Sequence, residues 1–321
     1  YLTTVLNDPA SALRGARYRW TRAAAVTGVV AVAGWTWFMT TGQLKNTVHT
    51  ERNFFGLLRV KEMGRDDPTS AHRFELHHGT TVHGLQVAIP EFRKLPTAYY
   101  GSITGVGALL STYGPPDGRR IGAVGMGVGT ISAYGRPGDR FVYYELDPSV
   151  VDVAQTYFSF LEDSEAEYEV RLGDARLNLE REPDQEFDIL VLDAFSSDSV
   201  PVHLLTVEAM EVYTRHLRPD GIIALNALNN YLNLIPLAFN LADASGFHAL
   251  GITNEKHRGD PSSASIWIMM SRNADALQEL GEATESLRSA GVVRWLKRNP
   301  EACARVSTWT DDSSSLFELM L

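Results

Sequence analysis

Cysteine is almost missing from this chain: Cys303 is the only one in 321 residues. An internal disulfide is therefore excluded, and so are zinc and iron–sulfur sites built on cysteine clusters. A reducing compartment fits that usage. Basic residues are also scarce, 29 Lys and Arg against 39 Asp and Glu, for a formal net charge of −10. The basic footprint of a nucleic-acid binder is absent, and a small cationic partner is favoured. There is no internal repeat and no low-complexity tract. The 44% hydrophobic and 21% charged composition suits a globular chain with one large domain, with or without an appendage.

Long apolar runs are lacking as well, with one exception. Residues 23–39, AAAVTGVVAVAGWTWFM, are uncharged and sit at the short end of what spans a bilayer. Trp35 and Trp37 suit a membrane interface, and Arg14, Arg17, Arg19 and Arg22 would hold the upstream side in the cytoplasm. That orientation sends the rest of the chain outside, against the cofactor argued below, which requires a cytoplasmic catalytic domain. A signal peptide fits poorly, because about twenty residues with four arginines precede the run and no clean cleavage site follows. Two readings stay open, membrane attachment through residues 23–39 by spanning or insertion, and an apolar helix packed on a globular body. The chain begins at Tyr1 rather than Met, which reads as a processed or excised piece.

Residues 52–63 (RNFFGLLRVKEM), 72–78 (HRFELHH) and 81–89 (TVHGLQVAI) alternate as short antiparallel strands do. From residue 119 the pattern changes. RRIGAVGMG, RFVYYELDP, YEVRLGDAR, FDILVLDAF and GIIALNAL read as strands, with VGTISAYG as a helix start and SVVDVAQTYFSFL, HLLTVEAMEVYTRHL and LNLIPLAFNLADAS as helices; SIWIMMSRN is a late strand. Strands alternating with helical stretches imply a mainly parallel, doubly wound sheet. The expected architecture is α/β: an apolar segment over 1–45, a small antiparallel β-domain over 46–110, and a Rossmann-like domain over 111–321.

The chemistry collects where these strands end. Gly125, Gly127 and Gly129 stand where the first parallel strand turns toward its crossover, permitting a tight turn and close backbone approach to a ligand. Glu145 follows twenty residues after Gly125, the spacing at which an acid meets ribose hydroxyls; capping of the next helix is the competing reading. Asp174, in GDAR, ends the third strand. Asp193 ends the fourth and is followed by Asp198 before Pro201. Ligands gather at the carboxyl ends of such strands, so one crevice receives a glycine loop and three acids. For Asp193 and Asp198 the competing reading is a cap for the helix near His203.

Together, GAVGMGVGT, YYELDP, LGDAR and FDILVLDAFSSDSVP resemble the spermidine synthase (polyamine aminopropyltransferase) family, and most of all a branch with membrane helices ahead of the catalytic domain. The resemblance runs from about Arg52 to the C-terminus and implies an S-adenosylmethionine-binding Rossmann fold, aminopropyl transfer to a small cationic amine, no metal, and a homodimer. It further implies that Glu145 binds ribose, Asp174 the adenine amine, and Gln86 the nucleoside. Asp193 and Asp198 become the catalytic acids, and Tyr99 or Tyr100 falls near the substrate motif. Three departures stand out. Val128 occupies the loop position of an expected aspartate, YYG replaces Tyr-His-Glu, and the acid pair is stretched to D-x-x-x-x-D. The co-substrate is therefore either S-adenosylmethionine or its decarboxylated form.

Methyl transfer, a lyase or cyclase reaction of S-adenosylmethionine, and a non-catalytic nucleoside-binding module compete with aminopropyl transfer. Among smaller signals, His77, His78 and His83 suggest a metal less well than they suggest surface histidines on short strands. Asn226 is read as lining the substrate pocket or making a loop, and Asp311 and Asp312 as facing a cationic substrate or forming a solvated turn.

Overall fold

The computed structural model describes residues 16–67, 71–79, 81–194, 200–257 and 260–320. The chain divides into two compact units, Tyr1–Thr47 and Val48–Leu321. In the first, helix α1 (Ala16–Leu44) carries the apolar run, with residues 23–38 exposed along it. Among the described residues no helix is long and apolar enough to cross a membrane, so the spanning expectation is not met. Thr27, Gly28, Gly34 and Thr36 dilute the run, and Arg17, Arg19 and Arg22 crowd its start.

The second unit holds two sheets. The smaller is a four-stranded antiparallel meander of β1 (Thr47–Asn53), β2 (Gly56–Met63), β3 (Arg73–His78) and β4 (Thr81–Val87), in that order. Residues 52–63, which alternate like one strand, contain a hairpin turn at Phe54 and Phe55. Asn53 Oδ1 accepts from the Phe55 and Gly56 amides at 2.8 and 3.1 Å, an Asx-type turn, and Gly56 follows at φ 141°.

The larger sheet has eight strands in the order β12-β10-β11-β9-β8-β5-β6-β7. Five are parallel: β5 (Arg120–Val124), β6 (Arg140–Glu145), β7 (Glu167–Leu172), β8 (Phe187–Leu192) and β9 (Leu217–Asn226). The edge beyond β9 is antiparallel, through β11 (Ser265–Ser271), β10 (His248–Asn254) and β12 (Val293–Leu296). Helices α2 (Gly105–Thr112), α3 (Pro148–Tyr157), α4 (Ala175–Arg181), α5 (Val207–Arg215), α6 (Ile235–Ala244), α7 (Ala274–Ser289) and α8 (Pro300–Cys303) accompany the sheet.

β8 shows why its apolar run needs both faces covered. Leu190 and Leu192 enter one core with Val124, Tyr144 and Leu225, while Ile189 and Val191 enter the other with Ile121, Ala123 and Tyr143. Each such side chain, fully buried, stabilises by roughly 2 kcal/mol. A third cluster joins the small sheet to the large one, with Leu58, Val60 and Leu76 packed on Val128, Val150, Val153 and Phe160. This cluster fixes the wall that faces the strand ends.

The first crossover departs from expectation. Residues 128–135 form no α-helix but a short 3-10 turn, Thr130–Tyr134. Gly129 enters it at φ 76°, and Gly135 with Pro137 close it before a second turn can form.

Candidate active site

A cleft open to solvent runs along the carboxyl ends of β5 to β8 beneath the small sheet. Gly125, Gly127, Glu145, Asp174, Asp193 and Tyr99 line it, so four strand ends and one preceding segment do meet. Gly129, Gln86, Tyr100 and Asn226 are not among its lining residues.

The glycine loop needs its glycines at two points. Gly125 has φ 90°, and a Cβ there would run into the Asp193 carbonyl, so the loop and the end of β8 are in backbone contact. Gly127 has φ 54° and backs onto the His83 carbonyl of the small sheet, 3.1 Å from where a Cβ would stand. Gly129 instead packs beneath Leu161 and opens the 3-10 turn; its role is in the turn rather than at the cleft. Val128, the position compared with an acid, is buried against Gly84 and the small-sheet core.

Glu145 splints this loop. Its carboxylate accepts from the Met126 amide at 2.9 Å and the Asp147 amide at 2.9 Å. Burial holds its pKa above the usual carboxylate range, opposed by those amides. The competing helix-cap role falls to Asp147, which accepts from the Ser149 amide at 2.9 Å with Pro148 in the first turn of α3. Asp147 is gripped in turn by Asn53 Nδ2 at 2.7 and 2.8 Å, which ties the β1–β2 hairpin to the cleft rim. Neither Asn53 nor Asp147 was singled out from sequence. The N-F-F-G turn and the Asp-Pro helix start were the available signals.

Asp174 serves two partners. One oxygen caps α4 through the Leu177 amide at 2.9 Å, and the other meets His203 Nε2 at 2.7 Å. His203 also lines the cleft.

Asp193 is held by polar but uncharged neighbours. The Tyr100 hydroxyl donates to one oxygen, Asn226 Nδ2 to the other at 2.8 Å, and Tyr99 adds a further hydrogen bond. No Lys or Arg is among the groups acting on it, and burial pushes its pKa up to about 6 against the three hydrogen bonds. The tyrosines are well fixed. Tyr134 donates to the Tyr100 carbonyl at 2.6 Å, Trp267 Nε1 to the Tyr99 carbonyl at 3.1 Å, and their rings lie 4.6 Å apart. Asn226 thus stands behind the acid rather than in the pocket. The competing cap role for Asp193 is also overturned, since Thr206 caps α5 through the Ala209 amide at 3.2 Å. Asp198 lies outside the described residues.

Other expectations are corrected. Gln86 does not reach the cleft; its amide bonds the Arg93 carbonyl at 2.8 Å, Ser159 Oγ at 2.9 Å and the Ser159 amide at 2.8 Å, which uses it as a strut. Asp311 pairs with Arg176 at 2.6 Å and is driven down to about 2 by that guanidinium, so it is committed before any cationic substrate arrives. His77 pairs with Glu75 at 3.0 Å, and no metal-holding group of side chains occurs among the described residues. His78 and His83 line the cleft, which sequence alone did not indicate.

No protein-family model matches the chain. It is 31% identical over 161 residues to the polyamine aminopropyltransferase of Vibrio vulnificus (strain CMCP6), covering 49% of this chain and 52% of that protein. It is 35% identical over 116 residues to the eEF1A lysine and N-terminal methyltransferase of Danio rerio, covering 32% of this chain and 16% of that protein. The chain therefore spans about half, or less, of the length of these curated relatives. In fold it superposes on a probable spermidine synthase from Corynebacterium glutamicum ATCC 13032 with a TM-score of 0.62 at 17% identity, covering 84% of this chain and 98% of that one. The likeness read from the motifs thus extends to the polyamine aminopropyltransferase in sequence and to a probable spermidine synthase in fold.

Proposed function

We propose that the chain transfers an aminopropyl-type group from an S-adenosyl sulfonium to a small cationic amine, with methylthioadenosine as leaving group. The observation that carries this reading is Asp193, a carboxylate at a rigid strand end, free of any neighbouring cation, beside the glycine loop and facing the cleft. In the same proposal Glu145 takes the ribose hydroxyls and Asp174 the base. No resident metal is invoked; the S-adenosyl compound is a co-substrate.

The amine arrives as an ammonium with a pKa of about 10, and freeing its lone pair at pH 7 costs about 4 kcal/mol. An ionised Asp193 attracts that cation and orients it. Its pKa near 6 makes it a better proton acceptor than an ordinary carboxylate by about 3 kcal/mol. As nitrogen bonds to the methylene, the carbon–sulfur bond breaks and its electron pair neutralises the sulfonium, while the proton passes to Asp193 or to water. Tyr99, Tyr100 and Asn226 keep the acid aimed, and positioning of this kind contributes a large share of the barrier reduction.

One observation favours a second reading. Val128 is apolar and buried where an acid would hold an aminopropyl ammonium, and methyl transfer from intact S-adenosylmethionine needs no such acid. Incubation with each donor, with and without putrescine, followed by mass spectrometry separates the readings. Methylthioadenosine with an extended polyamine supports the proposal, and S-adenosylhomocysteine supports methyl transfer. Methylthioadenosine formed without an acceptor points to lyase or cyclase chemistry, and binding without turnover to a module.

A homodimer and a cytoplasmic catalytic body belong to the same proposal. Attachment of residues 23–39 to a membrane surface is supported by exposed Val26, Val29, Trp35, Trp37 and Phe38; co-flotation with liposomes tests it.

A further inference from the structure

Two neighbouring tyrosines reach one carboxylate, which an extended chain does not allow. Successive side chains of a strand point to opposite faces, yet Tyr99 and Tyr100 both donate to Asp193. The backbone just before them supplies the reason. Ala98 is buried and stands at φ 56°, in the left-handed region that a Cβ disfavours. It opens a tight turn: the Tyr100 amide donates to the Thr97 carbonyl at 3.2 Å, and the Gly101 amide to the Ala98 carbonyl at 3.3 Å.

What holds Ala98 there lies outside the cleft. Residues 260–263, Asp-Pro-Ser-Ser, belong to the connection between β10 and β11, and none of them lines the cleft. The Ala98 amide donates to the Pro261 carbonyl at 3.0 Å, and its carbonyl accepts from the Ser263 amide at 2.8 Å. The fit is close, since a Cβ at Gly101 would stand 1.8 Å from Ser262 Oγ. The connection is itself braced. Asp260 Oδ1 accepts from the Ser262 amide at 2.7 Å, and Asn254, buried at the end of β10, donates to the Ser263 carbonyl at 2.8 Å. Left-handed backbone at a residue other than glycine persists where its surroundings over-determine it, and such positions cluster at functional sites. Resting on the transfer reading above, we propose that residues 260–263 are a remote positioning element of the active site, which keeps Ala98 left-handed and so turns Tyr99 and Tyr100 together onto Asp193. Asp260 is its positioning residue, acting through Ala98 on the tyrosines. The antiparallel edge of the large sheet then serves the reaction without touching substrate.

The test compares two readouts on the full chain: methylthioadenosine release from decarboxylated S-adenosylmethionine with putrescine, and calorimetric binding of methylthioadenosine. Asp260→Ala removes the acceptor of the Ser262 amide and should lower kcat about tenfold, the scale of one weakened hydrogen bond to a charged group. Methylthioadenosine should still bind within about twofold of the parent, because the glycine loop and Glu145 are untouched. Asp260→Asn keeps the accepting oxygen and should restore kcat. It also removes the charge that helps to raise the Tyr134 pKa, so restoration excludes an electrostatic route. Glycine takes left-handed backbone without steric cost, so Ala98→Gly added to Asp260→Ala should recover part of the lost kcat. Unchanged kcat in Asp260→Ala overturns the inference alone. So does a parallel loss of kcat and methylthioadenosine binding, the mark of a merely structural loop, and so does a double variant no faster than Asp260→Ala. If the parent itself releases no methylthioadenosine, the transfer reading falls and this inference falls with it.

Discussion

At the amino ends of β5 and β6, Asp139 is buried beside Arg119, which is equally buried. The guanidinium meets the carboxylate at 2.6 and 3.1 Å and spends its remaining donors on the carbonyls of Leu110, Tyr113 and Tyr134. At the carboxyl ends of β5 and β8, Asp193 is enclosed by two tyrosines and an asparagine instead. Burial disfavours the charge at both places. At Asp139 the hydrogen bonds from Arg119 outweigh it and the pKa is lowered; at Asp193 nothing cationic opposes it and the pKa rises to about 6. The first acid is saturated and inert, while the second keeps an unmet preference for a cation or a proton. A sheet that stores one fully compensated carboxylate at its base and one uncompensated carboxylate at its rim separates stability from chemistry.

The largest expected effect comes from removing the rim acid. Asp193→Asn should lower turnover by about 10²- to 10⁴-fold while the protein stays folded; measured activity within twofold of the parent would end its positioning role. Next comes the base. Arg119→Met strands a buried Asp139 and should cost about 3–5 kcal/mol in urea unfolding. A loss below about 1 kcal/mol would mean that the pair is not the compensated end of the comparison.

The rim was legible in sequence because strand ends announce themselves: an apolar run stops, and a glycine or acid follows. Glu145, Asp174 and Asp193 were found in that way, although their partners were not. Arg119 opens the run RRIGAVGMG and Asp139 stands just before RFVYYELDP, where neither residue type signals a pair, and only their packing beneath α2 makes them a buried one. Gln86 and Asn226 have the right residue type for a pocket, and long-range contacts turn both into struts. His78 and His83 alternate on β3 and β4 as surface residues do. It is the third cluster, drawing the small sheet onto Val128 and Phe160, that brings them over the cleft. Sequence period reports which face a side chain takes, and it does not report what that face is pressed against.

Acid titration sharpens the contrast, because the two carboxylates give opposite slopes. Asp139 has a lowered pKa, so its stabilisation is present above the unfolded value near 4 and is lost as pH falls through the folded one. Asp193 has a raised pKa, so its relative stabilisation is present below about 4 and is lost as pH rises through about 6, a change of at most about 3 kcal/mol. Asp193→Ala should therefore gain stability relative to the parent between pH 4 and 7, and denaturant midpoints across that window should show it. Activity should run the other way, falling as pH drops through about 6 and the acceptor is protonated. A flat profile from pH 5 to 8 would detach Asp193 from the reaction.

The smallest effect isolates one hydrogen bond. The Tyr100 hydroxyl lowers the Asp193 pKa by donating to its charged form, so Tyr100→Phe should move the acidic limb upward by up to about one pH unit. Turnover on the plateau above that limb should change far less than in Asp193→Asn, because Asn226 and Tyr99 still hold the carboxylate. A loss of plateau rate with an unmoved limb would assign the hydroxyl to the substrate instead. The rim would then owe its unmet charge to burial alone.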